Sequence, residues 1–340
     1  MTSVATAPPS GPAIPPESAR RVKSASGGAD RVFRLSLRGA GLAVLVIMST
    51  IGLFLFYRAW PALADAGLSF LTTQAWEPDS HNFGIATVLT GTLLIAAVAV
   101  ILAVPLATGV ALYISEYAPG RVRRASINVV DFMAAVPSVV YGLCGAILLQ
   151  EQIIPLARFL SSNFGWLPLL GIHDADPDNP LPDLTIYKSS TFLAGIVVAL
   201  MIMPFICSVM RESFSQAPVG EREGAYALGA TRWGMIRSVV LPFGRGGMIG
   251  GTMLGLGRAM GETIAVFMII TPVFQIQPEI LRSGTNSIAA LIAGRYGAAS
   301  PFELSALFAA GLALFTLTLV VNFAASAVIV RTRSGQMSDA

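Results

Sequence analysis

The sequence predicts an all-α, polytopic membrane protein with six transmembrane helices, and three observations carry that prediction. Of the 340 residues, 54% are hydrophobic and only 12% charged, with a mean hydropathy of +0.70; a soluble domain carries roughly 25% charged residues. Six apolar segments, at about 38–57, 85–113, 129–149, 191–210, 246–271 and 304–330, stand apart from polar connections. Each approaches the roughly 20 residues needed to cross hydrocarbon, and the second and sixth are long enough to tilt or protrude. Charge is also distributed asymmetrically. With the N-terminus inside, 16 of the 22 Lys and Arg residues fall in cytoplasmic pieces and five in outer loops, leaving Arg258 within an apolar segment. That ratio places both termini in the cytoplasm.

Taken in order, residues 1–36 are rich in Pro, Ala, Ser and Gly and read as a disordered cytoplasmic tail. Arg20, Arg21, Lys23, Arg31 and Arg34, with Arg38 beside the first span, hold it inside. Residues 37–331 form the transmembrane domain, and 332–340 a second cytoplasmic tail. The third segment opens Asp131-Phe-Met-Ala-Ala-Val-Pro137-Ser138-Val-Val-Tyr141-Gly142. Pro137 removes a helix bond, and Ser138 and Tyr141 offer polar groups beside the freed backbone. A bent helix lining a cavity and a kink tolerated in a packed bundle both fit these residues. The outer loop 150–190 holds Asp174, Asp176, Asp178 and Asp183. A calcium loop would need Gly at Asn179 and Glu at Thr185, so this reads as a solvated acidic loop and no metal site is expected. His81 and His173 lie in separate loops without metal-ligand spacing. Cys144 and Cys207 fall inside apolar segments, as small buried residues rather than a disulfide framework.

The stretch Arg211–Arg245 is the main hydrophilic interruption between spans and carries five arginines. Glu221–Leu228 can form a short helix with acids at its N-terminal end, where the helix dipole favours them. Gly229 suits the left-handed position that closes such a helix. Thr231 can N-cap a second helix through Val240, which Leu241-Pro242 is expected to end. Two short helices at a membrane surface make a knob that fills a groove on a partner; without a partner they would be an interfacial hairpin.

In the fifth segment, Gly247, Gly251 and Gly255 recur every four residues, as do Gly257 and Gly261. That spacing allows close helix contact, and it also leaves room for a substrate beside the backbone. Arg258, about 18 Å along the helix from Gly246 at 1.5 Å per residue, lies near the bilayer centre, where an arginine costs about 2.5–3.5 kcal/mol. Glu262, four residues on, can pair with it. One reading is a self-neutralising pair. The other places both residues in a translocation path, since a planar guanidinium matches two oxygens of an oxyanion at once. No GxxxxGK[ST] pattern occurs, so the chain is not expected to hydrolyse ATP itself.

Glu223-Gly224-Ala225, three residues, Gly229, nine residues and Val239-Val240-Leu241-Pro242 resemble the EAA loop of ABC importer permeases, with Gly224 and Val239 as departures. Leu112-Tyr-Ile-Ser-Glu-Tyr117, Ala135-Val-Pro-Ser-Val-Val-Tyr-Gly142 and Gly255-Leu-Gly-Arg-Ala-Met-Gly-Glu-Thr-Ile-Ala-Val266 add to this. Together they resemble the PstC family of phosphate-specific ABC permeases over roughly residues 30–332. The resemblance implies the type I importer permease fold and a multi-pass location in the bacterial plasma membrane. It implies a PstA-like partner permease, a PstB-like ATPase dimer that carries ATP and Mg, and a PstS-like phosphate-binding protein outside. No cofactor on this chain and no nucleic-acid partner are implied. Glu223, Gly224, Ala225, Gly229, Leu241 and Pro242 would couple to the ATPase, and Arg258 and Glu262 would serve phosphate passage. An ion-gradient-driven anion transporter is the alternative; the EAA spacing argues against it.

Overall fold

The computed structural model describes residues 28–172 and 184–333. The acidic cluster 174–183, His173 and the first 27 residues lie outside the described set. The described residues fall into two packing units that divide at Ile51–Gly52.

The first unit holds the start of α1 (Gly28–Ala66), so residues 28–36, expected as tail, are helical. From Asp30 to Ile51 every side chain is exposed, including Leu42, Val44, Leu45 and Ile47. From Gly39 onward the exposed side chains are apolar on nearly every face, which suits hydrocarbon as solvent.

In the second unit a short antiparallel hairpin, β1 (Trp76–Glu77) and β2 (Asn82–Phe83), precedes α2 (Ala86–Leu112). A π-helical turn over Tyr113–Tyr117 closes α2. Then come α3 (Gly120–Ala135), α4 (Ser138–Cys144), α5 (Gln150–Phe164) and α6 (Thr191–Ser215). The loop helices α7 (Val219–Ala227) and α8 (Arg232–Met235) lead into α9 (Leu241–Gly261). After α10 (Ile264–Ile269) the chain is extended to α11 (Ile288–Arg295), and α12 (Pro301–Arg333) ends it. Among the described residues, six helical stretches are long and apolar enough to cross a membrane.

The larger core forms where α2 packs along α6 and both meet α9. Ala99, Ala103, Ala107 and Ala111 of α2 are fully buried at four-residue spacing, so one face of small side chains lies against the neighbours. A second core gathers Phe70, Trp76, Phe83, Ile85, Ile288, Leu291 and Leu307. Beside it the indole of Trp76 donates to the buried carboxylate of Glu303 at 3.1 Å.

The bounds of four expected spans are redrawn. The third is Ser138–Phe164 rather than 129–149. Val136 (ψ 129°) and Pro137 (ψ 143°) are both extended, because a proline disfavours helix in the residue before it. Pro137 thus separates two helices instead of bending one, and α3 is a distinct amphipathic helix. The hydrophilic loop is shorter than 211–245, since α6 runs to Ser215 and the next span is continuous from Arg232 to Gly261. Leu241-Pro242 does not end the second loop helix. A π-helical turn over Ile236–Val240 changes the bond spacing just before Pro242, so its missing N–H is absorbed. Finally, the fifth span does not run to 271. It stops at Gly261, where Glu262 (ψ 123°) turns the chain, and Glu262 Oε1 then accepts from Ala265 N–H at 3.2 Å at the start of α10. The last helix extends to Arg333, so residues 332–333 also belong to it.

Candidate transport site and coupling loop

The loop after α6 folds as its turn chemistry dictates. α7 begins after Pro218, whose extended backbone stands at its N-cap, with Glu221 in the first turn. Gly229 has φ +84°, and its N–H donates to Tyr226 O (2.9 Å) while Ala230 N–H donates to Ala225 O (3.0 Å). This is the Schellman closure, which needs a left-handed residue at that position. Thr231 Oγ1 then accepts from Gly234 N–H at 3.1 Å and caps α8. Glu223 and Gly224 are exposed, as is Gly229, and Ala225 is half-buried. Around them Val219, Tyr226, Leu228 and Trp233 expose large apolar surfaces; Leu228 is 90% exposed. Leu241 and Pro242 are half-buried within the following span, apart from this knob.

Beneath the knob lies a buried ion pair. Arg222 of α7 donates through Nη1 to both carboxylate oxygens of Glu116 at 2.8 and 3.0 Å. Its Nη2 donates to Phe214 O at 2.6 Å and its Nε to Ala217 O at 3.2 Å. Sequence reasoning counted Arg222 only as a positive charge and placed Glu116 only in a motif. The signal available was an acid at the polar end of a span, opposite a loop rich in arginine.

On the fifth span the four-residue glycine spacing is close packing. A Cβ at Gly255 would meet Ile206 Cδ1 at 2.5 Å, one at Gly251 would meet Ile206 O at 3.2 Å, and one at Gly247 would collide with Ser213. Gly257 and Gly261 lie on open space: the first has only Asn322 Oδ1, at 3.9 Å, and the second has no neighbour within 4 Å. Arg258 is on this open side, exposed, with its guanidinium carbon 4.2 Å from the Phe205 ring centroid. The expected pairing with Glu262 is absent: among the described residues no ion pair within 4 Å joins them, because the helix that would align them ends at Gly261. The aromatic face supports the cation instead.

The other predicted cluster comes next to this break. α4 packs on α10, with Gly142 so close that a Cβ would lie 2.9 Å from Ala265 Cα. Tyr141 Oη donates to Met133 O at 2.9 Å, tying α4 back across the extended Val136–Pro137 link. Ser138 is half-buried and Pro137 exposed. The structure thus brings the Pro137–Gly142 segment beside the segment that follows Glu262, while Glu223, Gly224, Ala225 and Gly229 lie together on the loop after α6. Cys207 is buried and Cys144 half-buried, both as free thiols.

Residues 103–334 match the family model described as the binding-protein-dependent transport system inner membrane component. The chain is 38% identical over 304 residues to the phosphate transport system permease protein PstC 2 of Mycobacterium tuberculosis, covering 88% of this chain and 91% of that one. The chain belongs to the PstC branch of this family. The PstC protein of Haemophilus influenzae is likewise 38% identical, over 296 residues, with 86% and 90% covered. A solved bacterial alginate ABC transporter in complex with its alginate-bound periplasmic protein shares the fold at a TM-score of 0.56, with 16% identity and 87% and 94% of the chains covered. The PstC membership accords with an all-α permease architecture in which the loop after α6 and the break after α9 are the distinctive features.

Proposed function

We propose that the chain is the permease subunit of an ATP-driven phosphate importer, forming half of the pathway and doing no covalent chemistry. The observation that carries this reading is the capped two-helix knob between two spans, with Tyr226, Leu228 and Trp233 exposed beside Glu223. A groove on a separate ATPase subunit would cover those apolar groups, as buried aromatic and aliphatic anchors do at protein interfaces. The substrate class follows from the PstC relatives and from Arg258. The partners are a second permease, an ATPase pair on the side of the knob and a phosphate-binding protein on the other. The knob then lies in the cytoplasm, as do both termini.

Arg258 supplies the anion contact. Phe205 holds one face of the guanidinium, which leaves the in-plane N–H donors free for two phosphate oxygens. An exposed arginine on a span must face protein or water rather than lipid, and the open surface around Gly257 and Gly261 provides that path. ATP-driven movement of the ATPase pair shifts the spans if the two pore states bind the knob with different free energies.

The test is labelled-phosphate uptake into proteoliposomes that hold the whole complex, with ATP inside and binding protein outside. Uptake that needs both, and is lost in Arg258→Ala at normal assembly, is the expected result. Uptake driven by a pH gradient without ATP would overturn the reading.

A further inference from the structure

The coupling loop joins α6 to the Arg232–Gly261 span, yet both of its helices are tied by side chains to a third element. Arg222 of α7 holds both oxygens of Glu116, and Arg232 of α8 places its guanidinium carbon 5.0 Å from the Tyr117 ring centroid. Glu116 and Tyr117 both belong to the π-helical turn that closes α2. The Glu116 side chain is only 4% exposed. Such a buried charge is costly unless its geometry is satisfied; here Arg222 Nη1 donates to both of its oxygens, while Nε and Nη2 hold that arginine on Ala217 O and Phe214 O. At the opposite end of α2, Thr92 Oγ1 accepts from Ile288 N–H at 3.0 Å. There Gly91 lies so close to Asn286 O that a Cβ could not fit. Between these ends the buried alanine face runs along α6, with Val98 of α2 seated against Gly195 and Thr108 Oγ1 donating to Met210 Sδ at 3.3 Å.

We propose that α2 is the connecting strut of the transporter: the loop loads α2 through Arg222–Glu116 and Arg232–Tyr117, and α2 carries that displacement to the Asn286–Ile288 segment at its far end. The proposal rests on the coupling role assigned to the loop. It makes Glu116, Tyr117 and Thr92 positioning residues that touch neither phosphate nor the ATPase. ATP use and phosphate movement are linked through them, so their loss uncouples the two rather than stopping either alone.

The experiment uses the assembled transporter in proteoliposomes and reads phosphate taken up per ATP hydrolysed. Glu116→Gln keeps the side chain's shape and removes its charge. The expected result is a complex that assembles and hydrolyses ATP but whose uptake per ATP falls about tenfold or more, within the usual span of coupling strengths. The charge exchange Glu116→Arg with Arg222→Glu should regain part of that loss. Thr92→Val should lower the same ratio, and the Glu116→Gln/Thr92→Val double variant should fall no further than the worse single one, as for two ends of one strut. A wild-type ratio in Glu116→Gln, or a double variant whose losses multiply, would overturn the proposal. Where Glu116→Gln does not assemble, Tyr117→Ala reads the same ratio with the same two outcomes. A wild-type complex without ATP-dependent uptake would instead overturn the importer reading itself.

Discussion

Arg258 owes its position to a neighbour that the sequence could not disclose. Its isolation in an apolar segment was plain, and so was Glu262 four residues on. The pairing was inferred from helical periodicity, which fails when the helix stops between the two residues. Phe205, the group that supports the cation, lies 53 positions away on α6 and carries no local signal. Face stacking plus a free planar fork is a property of arginine, not of charge alone. Arg258→Lys should therefore reduce uptake about tenfold or more with the positive charge retained, since a lost charge-assisted bidentate contact is worth about 1.5–3 kcal/mol. Normal uptake by Arg258→Lys, measured at equal assembly, would reduce the residue to a point charge. Gly224 and Gly229 make a second contrast at this scale. Neither meets an atom within 4 Å of an added Cβ, but only Gly229 has a left-handed backbone. Gly224→Ala should stabilise α7 by up to about 1 kcal/mol, whereas Gly229→Ala should cost about 1–2 kcal/mol. Thermal denaturation of the detergent-solubilised complex compares the two.

At the level of elements, local chemistry that depends on near neighbours was legible. The glycine closure after Leu228 and the threonine cap at Thr231 were both read from turn residues and both form. Proline was the recurrent source of error. Local chemistry predicts that Pro137 bends a helix, and it divides two; it predicts that Pro242 stops a helix, and it follows a π-helical turn within one. The same residue type has opposite outcomes because the outcome depends on whether the preceding turn can change its hydrogen-bond spacing, which composition does not encode. The third span accordingly starts nine residues later than its apolar pattern suggested. Packing of the fifth span was legible only in part. Of the five glycines at four-residue spacing, three meet α6 and two face open space. Gly255→Leu should therefore force α6 and α9 apart and lower expression of folded protein, since overpacking costs about 1–3 kcal/mol. Gly261→Leu should leave folding intact, with any loss appearing in uptake. Size-exclusion yield separates the two variants.

For the molecule as a whole, six apolar segments were enough to give the architecture, because hydrocarbon thickness sets a length that any sequence must satisfy. What the segments do to one another was not legible. That α4 meets α10 at a glycine follows from tertiary packing between distant parts of the chain, and so does the tie of the coupling loop to α2. Gly142→Val should consequently disturb both clusters at once. With its backbone contact to Ala265 blocked, the α4–α10 crossing has no room to relax, and uptake should fall with assembly.

The π-helical turn over Ile236–Val240 sets more than the passage of a proline. It is one residue wider than an α-helical turn, and every residue from Leu241 to Gly261 inherits its phase. Deleting a single residue there would restore ordinary helical winding and leave the span's composition almost unchanged. It would also swing Arg258 by about 100° around the helix axis, the angle between successive residues, and carry it off the Phe205 ring. The direction in which Arg258 points is thus written about twenty residues upstream, as a count rather than as a side chain.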